Sequence, residues 1–126
     1  MKTLNHSVLQ PALYDRLRIR LEQERDDLQR GIDRTERQLL DMGVGNAEGV
    51  PPSSTDQEAL IERSSHYRRR LKLVIQGLQR IREGTFGLCQ SCEELIGRKR
   101  LEALPTASYC IKCQEEREQS DYARAI

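Results

Sequence analysis

The sequence has few of the residues from which proteins build a large hydrophobic core. Its 126 residues include no Trp, one Phe and four Tyr, and only 37% of them are hydrophobic. A chain of this length is long enough for one ordinary domain, or for an extended element that carries a small second module. Because a deep substrate cleft needs a layered apolar core around it, the composition argues against an enzyme.

The chain also lacks an excess of charge of either sign. Its 21 basic and 20 acidic residues leave a formal net charge of +1, so nothing indicates the broad positive surface that dominates DNA binding. No segment approaches the roughly 18 to 20 consecutive apolar residues of a membrane span, and the start of the chain lacks the apolar core of a secretory signal. We therefore expect a cytoplasmic protein that neither binds membranes nor reads a DNA sequence directly.

The first third of the chain has the pattern of a long amphipathic helix. From Pro11 to about Met42, apolar positions recur at steps of three, four and seven residues, interrupted at Glu24 and Gly31. Such a narrow stripe is typical of a seam between two helices, and Pro11 suits a first helical turn because its missing N–H is not needed there. The stripe consists of Tyr14, Leu17, Leu21, Leu28, Ile32, Thr35, Leu39 and Met42.

A second stripe follows a segment that breaks the helix. Residues 43–55 contain three glycines and two consecutive prolines, which favour a reversal of the chain. Thr55 with Glu58 three residues later is typical of a capping box and predicts a helix start, while Gly84 is a favourable residue just beyond a helix end. The stripe between them follows a heptad spacing through Leu60, Ser64, Tyr67, Leu71, Val74, Leu78 and Ile81.

Four cysteines form the strongest chemical pattern in the chain. Cys89-x-x-Cys92 is followed, after seventeen residues, by Cys110-x-x-Cys113. Two such pairs supply the four thiolates of a tetrahedral zinc site, and four protein ligands leave no open position for catalysis. In a reducing compartment metal binding is a better default than disulfides. The pattern predicts one structural Zn²⁺; redox-reactive cysteine pairs and iron–sulfur ligation are the less favoured alternatives.

Together these patterns predict a mainly α-helical protein. A long antiparallel coiled-coil hairpin spans residues 11–83, with residues 1–10 as an N-terminal segment and residues 43–55 as the tip loop. A small four-cysteine zinc-finger module with a short C-terminal helix then occupies residues 84–126.

The segment around the cysteines resembles the zinc-finger signature of the DksA/TraR family of bacterial transcription factors. It reads GTFGLCQSCEELIGRKRLEALPTASYCIKC from residue 84 to residue 113. Besides the cysteines, the resemblance is carried by Phe86, Gly87, Ile96, Gly97, Arg100, Leu101, Glu102, Pro105, Thr106 and Ala107. It implies a monomeric, non-enzymatic regulator whose coiled coil enters the secondary channel of RNA polymerase and alters promoter complexes, a role connected with the stringent response.

The resemblance also suggests which residues contact the polymerase. The tip motif of the best-known member is Asp-x-x-Asp-x-Ala, and the corresponding stretch SSTDQEALIE offers Asp56, Glu58 and Ala59. These carboxylates have an alternative role in capping the second helix and interacting with its dipole. Arg98 and Arg100, between the cysteine pairs, are candidate polymerase contacts, with a solvated loop as the alternative.

A further comparison concerns the alarmone guanosine tetraphosphate. In alarmone-responsive relatives, basic side chains help to hold this nucleotide between the factor and the polymerase. An ungapped count from the cysteines places the uncharged residues Leu73, Leu104 and Gln114 at those positions. The resemblance therefore predicts little or no dependence on the alarmone. A zinc-ribbon adaptor that binds nucleic acid or another protein directly is the alternative function.

Overall fold

The computed structural model describes residues 11–43 and 54–125, and its regular structure there is helical. Helix α1 is Pro11–Gly43, α2 is Ser54–Glu83, α3 is Arg98–Ala103 and α4 is Ile111–Ala125. One isolated antiparallel bridge joins Leu88 to Leu95. The predicted mainly α-helical fold, with two long helices before the cysteines and a short one after them, is confirmed.

Some expectations lie at or beyond the edges of the described residues. The N-terminal segment 1–10 and most of the tip loop, residues 44–53, lie outside them. Helix α2 starts at Ser54, one residue earlier than predicted, so Thr55 lies within the first turn and cannot be the N-cap. Among the residues that the structure describes, none of the four helices could span a lipid bilayer.

The chain divides into two compact units. One consists of Met1–Leu21 and Gln76–Ile126, and the other of Glu22–Ile75. The predicted domain boundary at residue 84 stays a prediction.

In the unit Glu22–Ile75, the apolar stripes of the two helices are turned away from solvent. Ile32 and Thr35 of α1 are buried, as are Ser64 and Val74 of α2. The Thr35 hydroxyl donates a hydrogen bond of 2.7 Å to the carbonyl oxygen of Gly31, which lets a polar side chain occupy a buried position. The remaining stripe residues of this unit are half-buried: Leu28, Leu39, Met42, Leu60, Tyr67 and Leu71.

The two interruptions of the first stripe are paired with particular residues of the second helix. Glu24 Oε1 accepts a hydrogen bond of 2.6 Å from Nε of Arg70, and both side chains are 28% exposed. Gly31 is buried against the ring of Tyr67, where a Cβ atom would lie 3.0 Å from Cε2. Helix α2 therefore provides a partner for each of the two residues that interrupt the apolar stripe of α1.

In the unit that contains the cysteines, the ends of the long helices share a core with the chain that follows. Phe86, Leu101 and Pro105 are almost completely buried. Tyr14 packs edge-to-face on Phe86 with ring centroids 6.3 Å apart, and its hydroxyl donates a hydrogen bond of 3.0 Å to the carbonyl oxygen of Ile81. Leu13, which the predicted stripe omitted, is 2% exposed.

The end of α2 is formed by a glycine, as the sequence predicted. Gly84 has a φ of 78°, in the left-handed region that glycine adopts without steric cost. Its N–H donates to the carbonyl of Ile81 and the N–H of Thr85 donates to the carbonyl of Arg80, at 3.3 and 2.9 Å. These two hydrogen bonds form a Schellman motif, which ends the helix and leads the chain into the first cysteine pair.

Candidate metal centre

The first cysteine pair lies in a tight turn held by backbone hydrogen bonds. The N–H of Cys89 donates to the carbonyl of Glu94, and the N–H of Glu93 donates to the carbonyl of Cys89, at 2.8 and 3.0 Å. Glu93 has a φ of 63°, which is unusual for a residue with a side chain. The resulting turn brings Cys92 back towards Cys89, as a shared metal ion requires.

The second pair lies at the start of a helix. Cys110 directly precedes α4, and Cys113 is in its first turn. The Sγ atom of Cys110 accepts a hydrogen bond of 3.5 Å from the N–H of Cys113. The first N–H groups of a helix have no partner within the helix, so the N–H of Cys113 is available for this contact.

Two contacts hold the chain just before Cys110. The N–H of Gln90 donates to the carbonyl of Ser108 at 2.8 Å, which joins the two cysteine turns directly. Nε of Arg100 donates to the carbonyl of Tyr109 at 3.0 Å. Arg100 thus holds the residue before Cys110, a role that the sequence did not reveal because its partner is nine residues away.

The four sulfur atoms form a cluster of the right size for zinc. The Sγ atoms of the cysteines, all free, lie within 4.8 Å of one another, and those of Cys92 and Cys110 are 3.9 Å apart. A tetrahedron with Zn–S bonds of about 2.3 Å has edges of ~3.8 Å. The donor set and its spacing therefore fit one Zn²⁺ held by Cys89, Cys92, Cys110 and Cys113.

The electrostatics of the cluster also call for a cation. Burial opposes ionisation of the Cys89 thiol, but hydrogen bonds from the backbone of Cys92, Cys110 and Ser91 outweigh it and lower its pKa to about 6. The side-chain hydrogen bond with Cys110, reinforced by burial, raises the pKa of Cys113 to about 12. Four thiolates this close repel one another, so their full ionisation depends on a metal ion that offsets their charge.

Comparison with known proteins identifies the family. Residues 84–119 match the model of the prokaryotic dksA/traR C4-type zinc finger. Over 96 residues, 75% of this chain, the sequence is 33% identical to the RNA polymerase-binding transcription factor DksA of Escherichia coli K12. The chain belongs to the DksA/TraR family. The family match also confirms the predicted zinc, because a C4-type finger holds one structural Zn²⁺.

Other relatives agree with this family assignment. The transcription factor DksA of Caulobacter vibrioides is 33% identical over 69 residues, which are 55% of this chain and 49% of that protein. The structure of DksA2 from Pseudomonas aeruginosa matches with a TM-score of 0.75 and 24% identity, covering 94% of this chain and 92% of that one, and it supports the fold. The alignment with the Escherichia coli relative spans only 64% of its length. The family is one of transcription factors, which agrees with the expectation that the chain is not an enzyme.

The other predicted site residues lie on the surface or in structural contacts. Asp56, Glu58 and Ala59 are exposed near the start of α2. Arg98 is exposed and its Nε donates a hydrogen bond of 2.9 Å to Glu102, whereas Arg100 is half-buried at the Tyr109 carbonyl. Their roles in binding a partner stay predictions.

The three positions compared with alarmone-binding residues are uncharged and differ in exposure. Leu73 and Leu104 are exposed, at 41% and 38%. Gln114 is half-buried, and its side-chain amide donates a hydrogen bond of 2.9 Å to Glu118.

Proposed function

We propose that this protein is a transcription regulator that binds bacterial RNA polymerase in the cytoplasm, acts as a monomer and does not recognise a DNA sequence itself. The observation that carries the proposal is the C4 zinc finger of the DksA/TraR type, continuous with two long paired helices. The curated relatives are named as RNA polymerase-binding transcription factors, which favours the same partner here. The near-neutral net charge of +1 disfavours the alternative of an adaptor that binds nucleic acid.

In the proposed mechanism the hairpin acts through the secondary channel of the polymerase. The four-cysteine site makes no bonds to a substrate, because its sulfur ligands complete the coordination of the metal. Its task is to hold the zinc module folded, so that the module provides affinity. The exposed carboxylates of Asp56 and Glu58, together with Ala59, then act near the catalytic centre and change the stability of promoter complexes.

The decisive experiment is a binding assay with core RNA polymerase. We expect the zinc-loaded protein to bind and to compete with a transcript-cleavage factor that occupies the same channel. Binding without competition would place the contact elsewhere on the polymerase. Absence of binding would overturn the proposal and favour the adaptor, which a gel-shift assay with single-stranded and double-stranded DNA would then test.

The tip residues are tested by separating binding from effect. Replacing Asp56→Asn, Glu58→Gln and Ala59→Ser together should impair the transcriptional effect more than it impairs polymerase binding. The control replaces two exposed residues of α4, Glu115→Gln and Glu116→Gln, and so removes the same number of negative charges away from the tip. Equal losses of binding and effect would point to a tip that only adheres, and no loss of either would leave the carboxylates with a role in helix capping alone.

We also propose that regulation depends little on guanosine tetraphosphate. Leu73, Leu104 and Gln114 offer no charge to its phosphates, and each missing charge-assisted hydrogen bond forgoes roughly 1.5 to 3 kcal/mol. The lifetime of promoter complexes should therefore change similarly with and without the alarmone, when the polymerase's own factor-independent alarmone site is disabled. A strong synergistic shortening would refute this part of the proposal and leave polymerase binding unaffected.

A further inference from the structure

Arg80 is a buried cation near the end of α2. Its side chain is 7% exposed, and within the described part of the chain its Nη2 atom is buried without a hydrogen-bond partner. Burial lowers its pKa, and the neighbouring Tyr109 and Glu83 oppose that shift. A buried donor without a partner on a charged group is costly, so native proteins seldom keep one without a compensating charge nearby.

Arg80 lies beside one of the zinc ligands. Arg80 and Cys89 line the same cavity of about 240 Å³, together with Thr85, Leu88 and Gln90. Glu83 and Glu93 line it as well, but both residues are exposed, and the Glu83 carboxylate accepts a hydrogen bond of 3.1 Å from Gln79. Exposed carboxylates are solvated and screened, so they compensate a buried charge poorly.

The metal centre can supply the negative charge that would compensate the buried Arg80 guanidinium. Four thiolates and one Zn²⁺ carry a net charge of −2, and the Cys89 sulfur is almost completely buried. Charged and hydrogen-bonding groups around metal ligands tune how strongly those ligands bind. Two other arginines of the module are occupied elsewhere, since Arg100 binds the Tyr109 carbonyl and Arg117 lies 4.4 Å from the centre of the Tyr109 ring.

We propose that Arg80 is a positioning residue of the zinc centre, whose positive charge offsets the negative charge of the four-thiolate site on the side of Cys89. The proposal is independent of polymerase binding. It explains why an arginine is buried here, where packing alone would favour an apolar residue. It also gives the guanidinium a counter-charge on the side of the buried Cys89, in addition to the exposed carboxylates of Glu83 and Glu93.

The test compares zinc binding by three full-length variants. Arg80→Gln removes the charge, Arg80→Lys retains it, and Arg82→Gln removes the charge of an exposed arginine two residues along the same helix. Zinc affinity is measured by competition with a chelator. We expect Arg80→Gln to bind zinc at least 10-fold more weakly, Arg80→Lys to remain within about 3-fold of the unmodified protein, and Arg82→Gln to be unchanged.

A second readout separates charge from packing. With Co²⁺ in place of zinc, loss of a nearby positive charge should move the thiolate-to-metal charge-transfer bands of Arg80→Gln to longer wavelength, whereas Arg80→Lys should leave them in place. Equal affinities of Arg80→Gln and Arg82→Gln would overturn the proposal. Equal weakening by Arg80→Gln and Arg80→Lys, or unshifted bands in Arg80→Gln, would also overturn it, because shape rather than charge would then matter.

Discussion

The close approach of Gly31 to Tyr67 predicts that an alanine at position 31 destabilises the hairpin. A Cβ atom there would lie 3.0, 3.2 and 3.3 Å from Cε2, Cδ2 and Cζ of the Tyr67 ring. Carbon atoms in favourable contact are about 3.5 to 4.0 Å apart, so the ring would have to move by roughly half an ångström or more. The ring is half-buried between the helices, which limits where it can go.

The size of the effect follows from two opposing contributions. Alanine favours the interior of a helix over glycine by about 1 kcal/mol. Forcing an extra methyl group into a packed interface typically costs about 1 to 3 kcal/mol. We therefore expect Gly31→Ala to lower the free energy of unfolding by about 1 kcal/mol.

Gly77 provides the matched control within α2. A Cβ atom there would lie 3.4 Å from Cδ1 of Leu21, an ordinary contact, so Gly77→Ala should raise the free energy of unfolding by about 0.5 to 1 kcal/mol. Urea unfolding of the zinc-loaded protein, followed by helical circular dichroism, measures both variants. In a Tyr67→Leu background, where the ring is gone, Gly31→Ala should become stabilising.

One result would refute this reasoning. If Gly31→Ala stabilised the protein as much as Gly77→Ala does, Tyr67 would be free to move aside, and the close contact would have no energetic significance.

Two further predictions concern the zinc and the ion pair of the hairpin. Chelation of the metal, or Cys110→Ser, should unfold the zinc module but leave most of the helical signal of Glu22–Ile75, because that unit has buried stripe residues of its own, whereas the ends of α1 and α2 share the core of the cysteine unit. Total loss of helicity would contradict this. A double-mutant cycle of Glu24→Gln and Arg70→Gln should give a coupling energy of about 0.5 to 1 kcal/mol that shrinks at high salt, since both side chains are 28% exposed. A coupling energy near zero at low salt would mean that the ion pair itself contributes nothing to stability and that the two side chains only occupy space in the seam.

Much of the architecture could be predicted because it rests on local spacing. Apolar residues at steps of three, four and seven predicted both long helices and most of their buried faces, since one face of a helix collects residues three and four apart. They missed Leu13. The two Cys-x-x-Cys pairs predicted the ligands in the same way, because two intervening residues are enough to bring both sulfurs to one ion. Gly84 predicted the end of α2 because a left-handed residue is a local requirement of the Schellman motif.

Local spacing alone specifies the helices, most of the seam and the grouping of the four cysteines. Packing between distant segments explains why Gly31 interrupts the seam, what holds Arg100 and where Arg80 lies. Each of these depends on a partner distant along the chain: the Tyr67 ring across the hairpin, the Tyr109 carbonyl beyond α3, and the cavity that the turn after α2 forms with Cys89. Periodicity shows which face of a helix is covered, but the atoms that cover it are chosen by packing between segments, which no local pattern encodes.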